Sequence, residues 1–246
     1  MKVGLFIPCY IDQFYPQVGI ATLELLEKLD CRVEYPASQT CCGQPMANTG
    51  CEQDAVATYH HFVELFHSFD HVVSPSGSCT YHVRKHYDII EQTEEVEKVR
   101  KNTLDLSEFL VDVLKVEALE AHFPYKVGLH QSCHGLRGLR LGTGSERVLE
   151  KSSKLNTLLR MVEGIELVEL ARQDECCGFG GTFAINEPAI SVKMGKDCIA
   201  GHERQGVEVL TAGDMSCLMH LEGLIKRQKK KIKVKHIAEI LNGAQL

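Results

Sequence analysis

Lys2-Val3-Gly4-Leu5 recurs letter for letter as Lys126-Val127-Gly128-Leu129, which constrains this chain to one supersecondary unit written twice. In both places three residues follow and then a cysteine, Cys9 in the first copy and Cys133 in the second. Val33-Glu34 stands six residues before Cys41-Cys42-Gly43, and Val168-Glu169 stands six residues before Cys176-Cys177-Gly178. Each copy then closes on an apolar stretch that runs into Ser-Cys: Val72-Val73 leading to Ser78-Cys79, and Val209-Leu210 leading to Ser216-Cys217.

The hydrophobic rhythm is the same in both halves. Val3–Ile7, Cys31–Tyr35 and His71–Ser74 read as strands. Between them, residues 17–29 carry Val18, Ala21, Leu25, Leu26 and Leu29 at helical spacing, and 55–69 carry Val56, Tyr59, Val63 and Phe66. The second half offers strands at Val127–His130, Ile165–Leu170 and Val207–Thr211, with helices near 145–161 and 188–203. Strands alternating with helices imply parallel pairing through right-handed crossovers. The expected fold is α/β: two duplicated, doubly wound (Rossmann-like) parallel-sheet halves related by a pseudo-two-fold, with cysteine sites at the carboxyl ends of strands. Residues 1–90 form the first half, 91–122 an acidic helical connector, and 123–246 the second half with a basic C-terminal helix.

Composition excludes several classes. A formal net charge of −6 argues against nucleic acid as the main partner. No apolar run approaches the ~18 residues of a transmembrane span, and the N-terminus lacks the layout of a signal peptide. A cytoplasmic protein is expected. Cysteine is the outlier at eleven residues. An odd count, in a chain long enough to build a core, makes a disulfide framework a poor explanation. Metal binding or redox chemistry fits better.

Eight of the eleven cysteines follow strands in the repeat. Ligands of open parallel sheets bind at the carboxyl ends of strands, where loops from distant segments meet. The expected sets are Cys9/Cys41/Cys42/Cys79 and Cys133/Cys176/Cys177/Cys217. Four thiols suit a [4Fe–4S] cluster and also a structural zinc. Adjacent cysteines diverge on an extended chain, so they reach different irons of a cluster more easily than one tetrahedral ion. No C-x-x-C occurs, so zinc-ribbon, thioredoxin-like and bacterial ferredoxin signatures are missing. Two [4Fe–4S] clusters are the leading expectation. Zinc as occupant, or thiol–disulfide chemistry at Cys41-Cys42, are the alternatives.

These residues also carry a family resemblance. The Cys-Cys-Gly triplets, Ser76-Gly77-Ser78-Cys79, the stretch from Cys176 to Phe183 and the stretch from Gly213 to His220 resemble the cysteine-rich CCG-domain proteins. Within that family the likeness is to small iron–sulfur oxidoreductase subunits of lactate-utilising systems. It implies a subunit of a complex oxidising L-lactate to pyruvate without NAD, partnered by other protein subunits including a second iron–sulfur protein. CCG domains also occur in the heterodisulfide reductase B subunit, where each motif ends in C-x-x-C and supplies a fifth cysteine. Here the first member of that pair is Ser76 in one half and Asp214 in the other. Either could add an oxygen ligand, although turn roles suit both.

Other residues have plainer readings. Cys31 and Cys198 read as small buried hydrophobes, and Cys51 as a reserve ligand. His134 and His220 could hydrogen-bond a cluster sulfur, and Arg84 and Arg137 read as surface ion pairs. Leu141-Gly142-Thr143-Gly144-Ser145 lacks a dinucleotide fingerprint and ends in an expected N-cap at Ser145. The basic run 226–235 reads as a solvated helix end, with partner docking as a second use.

Overall fold

The computed structural model describes residues 1–246. Four parallel strands form each sheet: β1 Lys2–Leu5, β2 Arg32–Glu34, β3 His71–Ser74 and β4 Thr103–Asp105 in the first, β5 Lys126–Leu129, β6 Glu166–Val168, β7 Val209–Ala212 and β8 Lys233–His236 in the second. The spatial orders are β2-β1-β3-β4 and β6-β5-β7-β8. Val3 faces Val33 and His71, and Val127 faces Leu167 and Val209, so β6 pairs one residue out of step with the repeated Val-Glu landmark.

The central strands β1 and β5 are apolar on both faces because helices cover both sides of a parallel sheet. The edge strands β2 and β6 are charged, which blunts their unpaired backbone. The first lysine of each central strand pairs with a carboxylate on the edge strand, Lys2 with Glu34 at 3.0 Å and Lys126 with Glu166 at 3.1 Å.

Helices Pro16–Lys28, Val56–Phe66 and Pro188–Arg204 lie where the apolar spacing places them. Three features differ from expectation. The stretch 91–122 holds a helix, Glu94–Asn102, and then β4, which pairs with β3 and completes the first sheet. A three-residue strand is too short to show a period of two. The basic run is not one helix end: Lys226-Arg227 finish the helix Met215–Arg227, and Lys233–Lys235 belong to β8. Lys226, Lys230 and Lys235 are paired with Glu222, Glu203 and Glu239. The helix expected near 145–161 is confined to Lys154–Leu159, capped by Ser153. Ser145 instead donates its N–H and hydroxyl to Asp174, which ties it into a loop.

One hydrophobic core runs through both halves. Val3, Leu25 and Leu26 share it with Val127, Leu210 and Ile240, and the helix Pro16–Lys28 packs on the C-terminal helix Ile237–Leu241. Lys28 Nζ reaches Asn242 Oδ1 at 2.7 Å. A second core, with Phe6, Phe62, Phe66 and Val72, fills the other face of the first sheet. Ser76 and Asp214, equivalent in the repeat, pair in an isolated antiparallel bridge. An antiparallel pair of equivalent residues is what a two-fold axis between the halves requires. No helix is long and apolar enough to cross a membrane.

The repeated glycine of β5 is a close-approach position. A Cβ on Gly128 would collide with His202 and sit 2.8 Å from Val207, whereas one on Gly223, in the helix Met215–Arg227, meets nothing within 4 Å. Gly128→Ala is expected to destabilise the fold by about 1–3 kcal/mol, and Gly223→Ala to stabilise it by up to about 1 kcal/mol. Urea unfolding followed by circular dichroism measures both. Equal midpoints would refute the packing account.

Candidate metal centres

The strand order reverses between β1 and β3, and again between β5 and β7, and such a switch point opens a crevice at the carboxyl edge. Cys9 starts the short helix Cys9–Phe14 beyond β1, Cys41 and Cys42 follow β2, and Cys79 lies in the first turn of the helix Gly77–His86 beyond β3. Cys133, Cys176-Cys177 and Cys217 hold the matching places after β5, β6 and β7. All eight line one cavity of ≈ 620 Å³ between the halves. None forms a disulfide.

Each Cys-Cys-Gly turn is shaped by its glycine, with φ of +90° at Gly43 and +88° at Gly178. A Cβ at Gly43 would lie 2.5 Å from Tyr59, and one at Gly178 2.6 Å from the Ser191 carbonyl oxygen. Only glycine combines that φ with that proximity. The turn folds the Gly43 N–H onto Cys41 Sγ and the Gly178 N–H onto Cys176 Sγ, both at 3.4 Å, and Phe179 N–H donates to Cys177 Sγ at 3.4 Å.

These contacts set the same proton order in both halves. Hydrogen bonds from Cys42 and Cys9, with help from the Gly43 N–H, hold the Cys41 thiol down at about 3. Hydrogen bonds from Cys133 and Cys177, joined by the Gly178 N–H, hold Cys176 down at about 2. Their neighbours move the other way. Cys9 and Cys42 are pushed up first by the hydrogen bond to Cys41, and Cys133 and Cys177 first by that to Cys176, with burial adding in each case. Cys217 is lowered to about 7 by the Cys177 hydrogen bond, with His130 assisting against burial. Free thiols gathered around one stabilised thiolate suit a thiophilic metal, which would displace the remaining protons.

Histidines flank both sets. His82 follows Cys79 by three, as His220 follows Cys217. Burial lowers both imidazoles, His82 to about 3, so they are neutral. Tyr59 Oη lies 3.0 Å from His82 Nε2. His134 lines the cavity with its ring 5.2 Å from Tyr81. His130 is buried, with a ring nitrogen and the sulfurs of Cys177 and Cys217 all within 4.8 Å of one another. Burial opposes its charge, yet the thiols of Cys198 and Cys217 outweigh that and raise its pKa well above the ordinary value. Sequence reasoning passed over His82 and His130. The repeated C-x-x-H spacing signals the first, and the alignment of Phe6 with His130 signals the second.

Ser76 and Asp214 also line the cavity, and both cap helices. Ser76 Oγ accepts from Cys79 N at 3.4 Å. Asp214 Oδ1 accepts from Ser216 N at 3.2 Å, and its Oδ2 accepts from Ser78 N of the other half at 2.7 Å. Cys51 is exposed and lies outside the cavity lining, and Cys31 is half-buried against the shared core. Cys198 is buried, but its sulfur sits 3.8 Å from His130 Nδ1 rather than among hydrocarbon alone. Arg84 pairs with Glu108 at 2.8 Å, and Arg137 with Glu146 and Asp174 at 3.1 and 3.0 Å.

The family model for the CCG cysteine-rich domain matches residues 3–84 and again 127–222. This chain belongs to the cysteine-rich CCG-domain family. The two matched spans coincide with the two copies of the repeat. Relatives named lactate utilization protein A align end to end. That of Halalkalibacterium halodurans is 41% identical, over 98% of this chain and 97% of its own length. That of Bacillus subtilis is 40% identical, over 99% and 100%. Among solved structures, glutamate racemase isoform RacE1 from Bacillus anthracis matches 98% of this chain and 78% of its own. The TM-score is 0.37 and the identity 12%, too distant to inform the site.

The proton order is open to test. In metal-free protein at about pH 5, where an ordinary thiol is unreactive, iodoacetamide is expected to modify Cys41 and Cys176 ahead of Cys9, Cys42, Cys133 and Cys177. Peptide mass spectrometry reads the sites. Labelling of Cys41 and Cys176 that begins only above about pH 8 would contradict the assignment.

Proposed function

We propose that this CCG-domain protein is an iron–sulfur electron-transfer subunit of a system that oxidises L-lactate to pyruvate. The observation that carries the reading is the convergence of eight free thiols, in two like sets, on one cavity. The relatives' shared name supplies the substrate.

Cys9, Cys41, Cys42 and Cys79 would hold one [4Fe–4S] cluster, and Cys133, Cys176, Cys177 and Cys217 the other. A bound cluster supplies one-electron transfer at a potential set by its ligands, its hydrogen bonds and its exposure. The N–H groups of Gly43, Gly178 and Phe179 stabilise charge on the ligating sulfurs, and neutral His82 and His220 pack beside them without adding charge. Oxidising lactate to pyruvate removes two electrons and two protons, and the first acceptor, a flavin or a quinone, belongs on a partner. Electrons would then pass to or from a second iron–sulfur protein. Ile185 and Phe14, exposed by 78% and 65%, offer apolar surface at the cavity rim and beside Tyr10 for such a partner.

One distance favours a second reading, a zinc-stabilised assembly subunit. Cys9 Sγ and Cys41 Sγ stand 3.7 Å apart, close to the ~3.8 Å between thiolates on one tetrahedral zinc with bonds of about 2.3 Å.

Anaerobic purification followed by iron, zinc and sulfide analysis separates the two. The electron-transfer reading expects a brown protein with iron and acid-labile sulfide, falling by about half in Cys41→Ser/Cys42→Ser and again by about half in Cys176→Ser/Cys177→Ser. Colourless protein with stoichiometric zinc would establish the assembly reading instead. For the pathway, gene deletion is expected to abolish growth on L-lactate, restored by the wild-type gene and not by either cysteine variant. Normal growth without the gene, in a strain with no other lactate dehydrogenase, would reject it.

A further inference from the structure

The two thiol sets share a frame but not a composition. Phe6 and His130 are equivalent in the repeat: each directly follows Lys-Val-Gly-Leu and precedes the first cysteine by three. Phe6 is fully buried, with its ring edge-on to Phe62 at 4.9 Å, and gives the first set a hydrocarbon wall. His130 holds that place in the second half and is only 2% exposed.

Its two nitrogens have different surroundings. Nδ1 faces Cys198 Sγ at 3.8 Å, whereas Nε2 is shut off from solvent with no hydrogen-bond partner. An imidazole nitrogen buried without a partner is costly, and such a group in a native fold calls for an occupant. A ring nitrogen of His130, Cys177 Sγ and Cys217 Sγ lie within 4.8 Å of one another. Bonds of about 2.0–2.3 Å to one metal place two donors no more than about 4.6 Å apart. These three atoms therefore stand close enough together to serve one metal centre.

We propose that His130 Nε2 is a direct ligand in the second metal centre alongside Cys177 and Cys217, taking the place of one thiol of that set, with Cys198 orienting the ring through Nδ1. The inference rests on the reading of the cysteine sets as metal sites. It makes the centres inequivalent, the first all-sulfur and the second mixed nitrogen and sulfur. Neutral imidazole brings less negative charge than thiolate, and in iron–sulfur centres histidine ligation raises the potential. In the iron form, an electron entering the protein comes to rest in the second half. The Nδ1 contact with Cys198 is the outer partner a ligating histidine needs to fix its ring.

The test uses full-length protein loaded anaerobically with iron and sulfide, or with zinc, in a Cys41→Ser/Cys42→Ser background that silences the first set. X-ray absorption at the metal edge is expected to show a nitrogen scatterer at about 2.0–2.1 Å, absent in His130→Phe, which copies Phe6. In the iron form, His130→Phe is also expected to lower the reduction potential of the second centre. An all-sulfur shell in a protein that holds its metal overturns the inference and leaves the metal reading standing. Failure of the second set to bind any metal overturns both. Should His130→Phe not fold, wild-type protein with ¹⁵N-histidine decides in the reduced iron form. Directly coordinated ¹⁵N in pulsed electron paramagnetic resonance upholds the ligand, and its absence removes it.

Discussion

A parallel sheet that grows outward in both directions from its first strand leaves a crevice where the two connections part, and no helix can cross it. Strand orders β2-β1-β3-β4 and β6-β5-β7-β8 create that crevice twice. Every cysteine of the two sets belongs to a loop or first helical turn leaving a strand at this edge. The thiols meet because the topology leaves their loops nowhere else to go. Facing the two sheets across a two-fold then merges both crevices into one cavity.

The chemistry of each crevice depends on the Cys-Cys-Gly turn. A left-handed glycine bends the chain so that an amide points back at the first sulfur, and that sulfur becomes the acceptor for its neighbours. The outcome is the same in both halves although the surroundings differ. Tyr59 presses on Gly43, and the Ser191 carbonyl with Met194 presses on Gly178. Proton order thus follows from the packing of the three thiols against one another, with the turn's amide assisting, and it tolerates divergence of the walls.

That division between turn and wall explains what could be read from the sequence. Strands at Lys2–Leu5 and Lys126–Leu129 and all eight lining cysteines were legible because identity between copies marks them, and the helices Pro16–Lys28, Val56–Phe66 and Pro188–Arg204 because their apolar spacing does. β4 was not, since Thr103–Asp105 has too few residues to display a period. β8 was hidden because the run of lysines suggested a helix end, whereas Lys235 within β8 is paired with Glu239 of the helix Ile237–Leu241. Ser145 satisfied the rule for a helix start, but Asp174, distant in sequence, claims its N–H and hydroxyl. His130 escaped notice for the opposite reason. Repeat-based reading rewards sameness, and this residue matters where the copies differ.

The bridge between Ser76 and Asp214 has a consequence for how such a gene can change. Helix Gly77–His86 satisfies only part of its own start: Ser76 Oγ takes the Cys79 N–H, but Gly77 N–H goes to the Gly213 carbonyl at 3.4 Å, and Ser78 N–H to Asp214 Oδ2. The reverse does not hold, for Asp214 caps its own helix through Ser216. One copy of the duplication has thereby become the caretaker of the other. Splitting the reading frame between the copies would strand the first with an open helix end beside its thiols. Drift at position 214 would be felt in both halves, whereas drift at position 76 would be felt chiefly in one. The ancestral symmetry survives in the backbone, but the inheritance it transmits is lopsided.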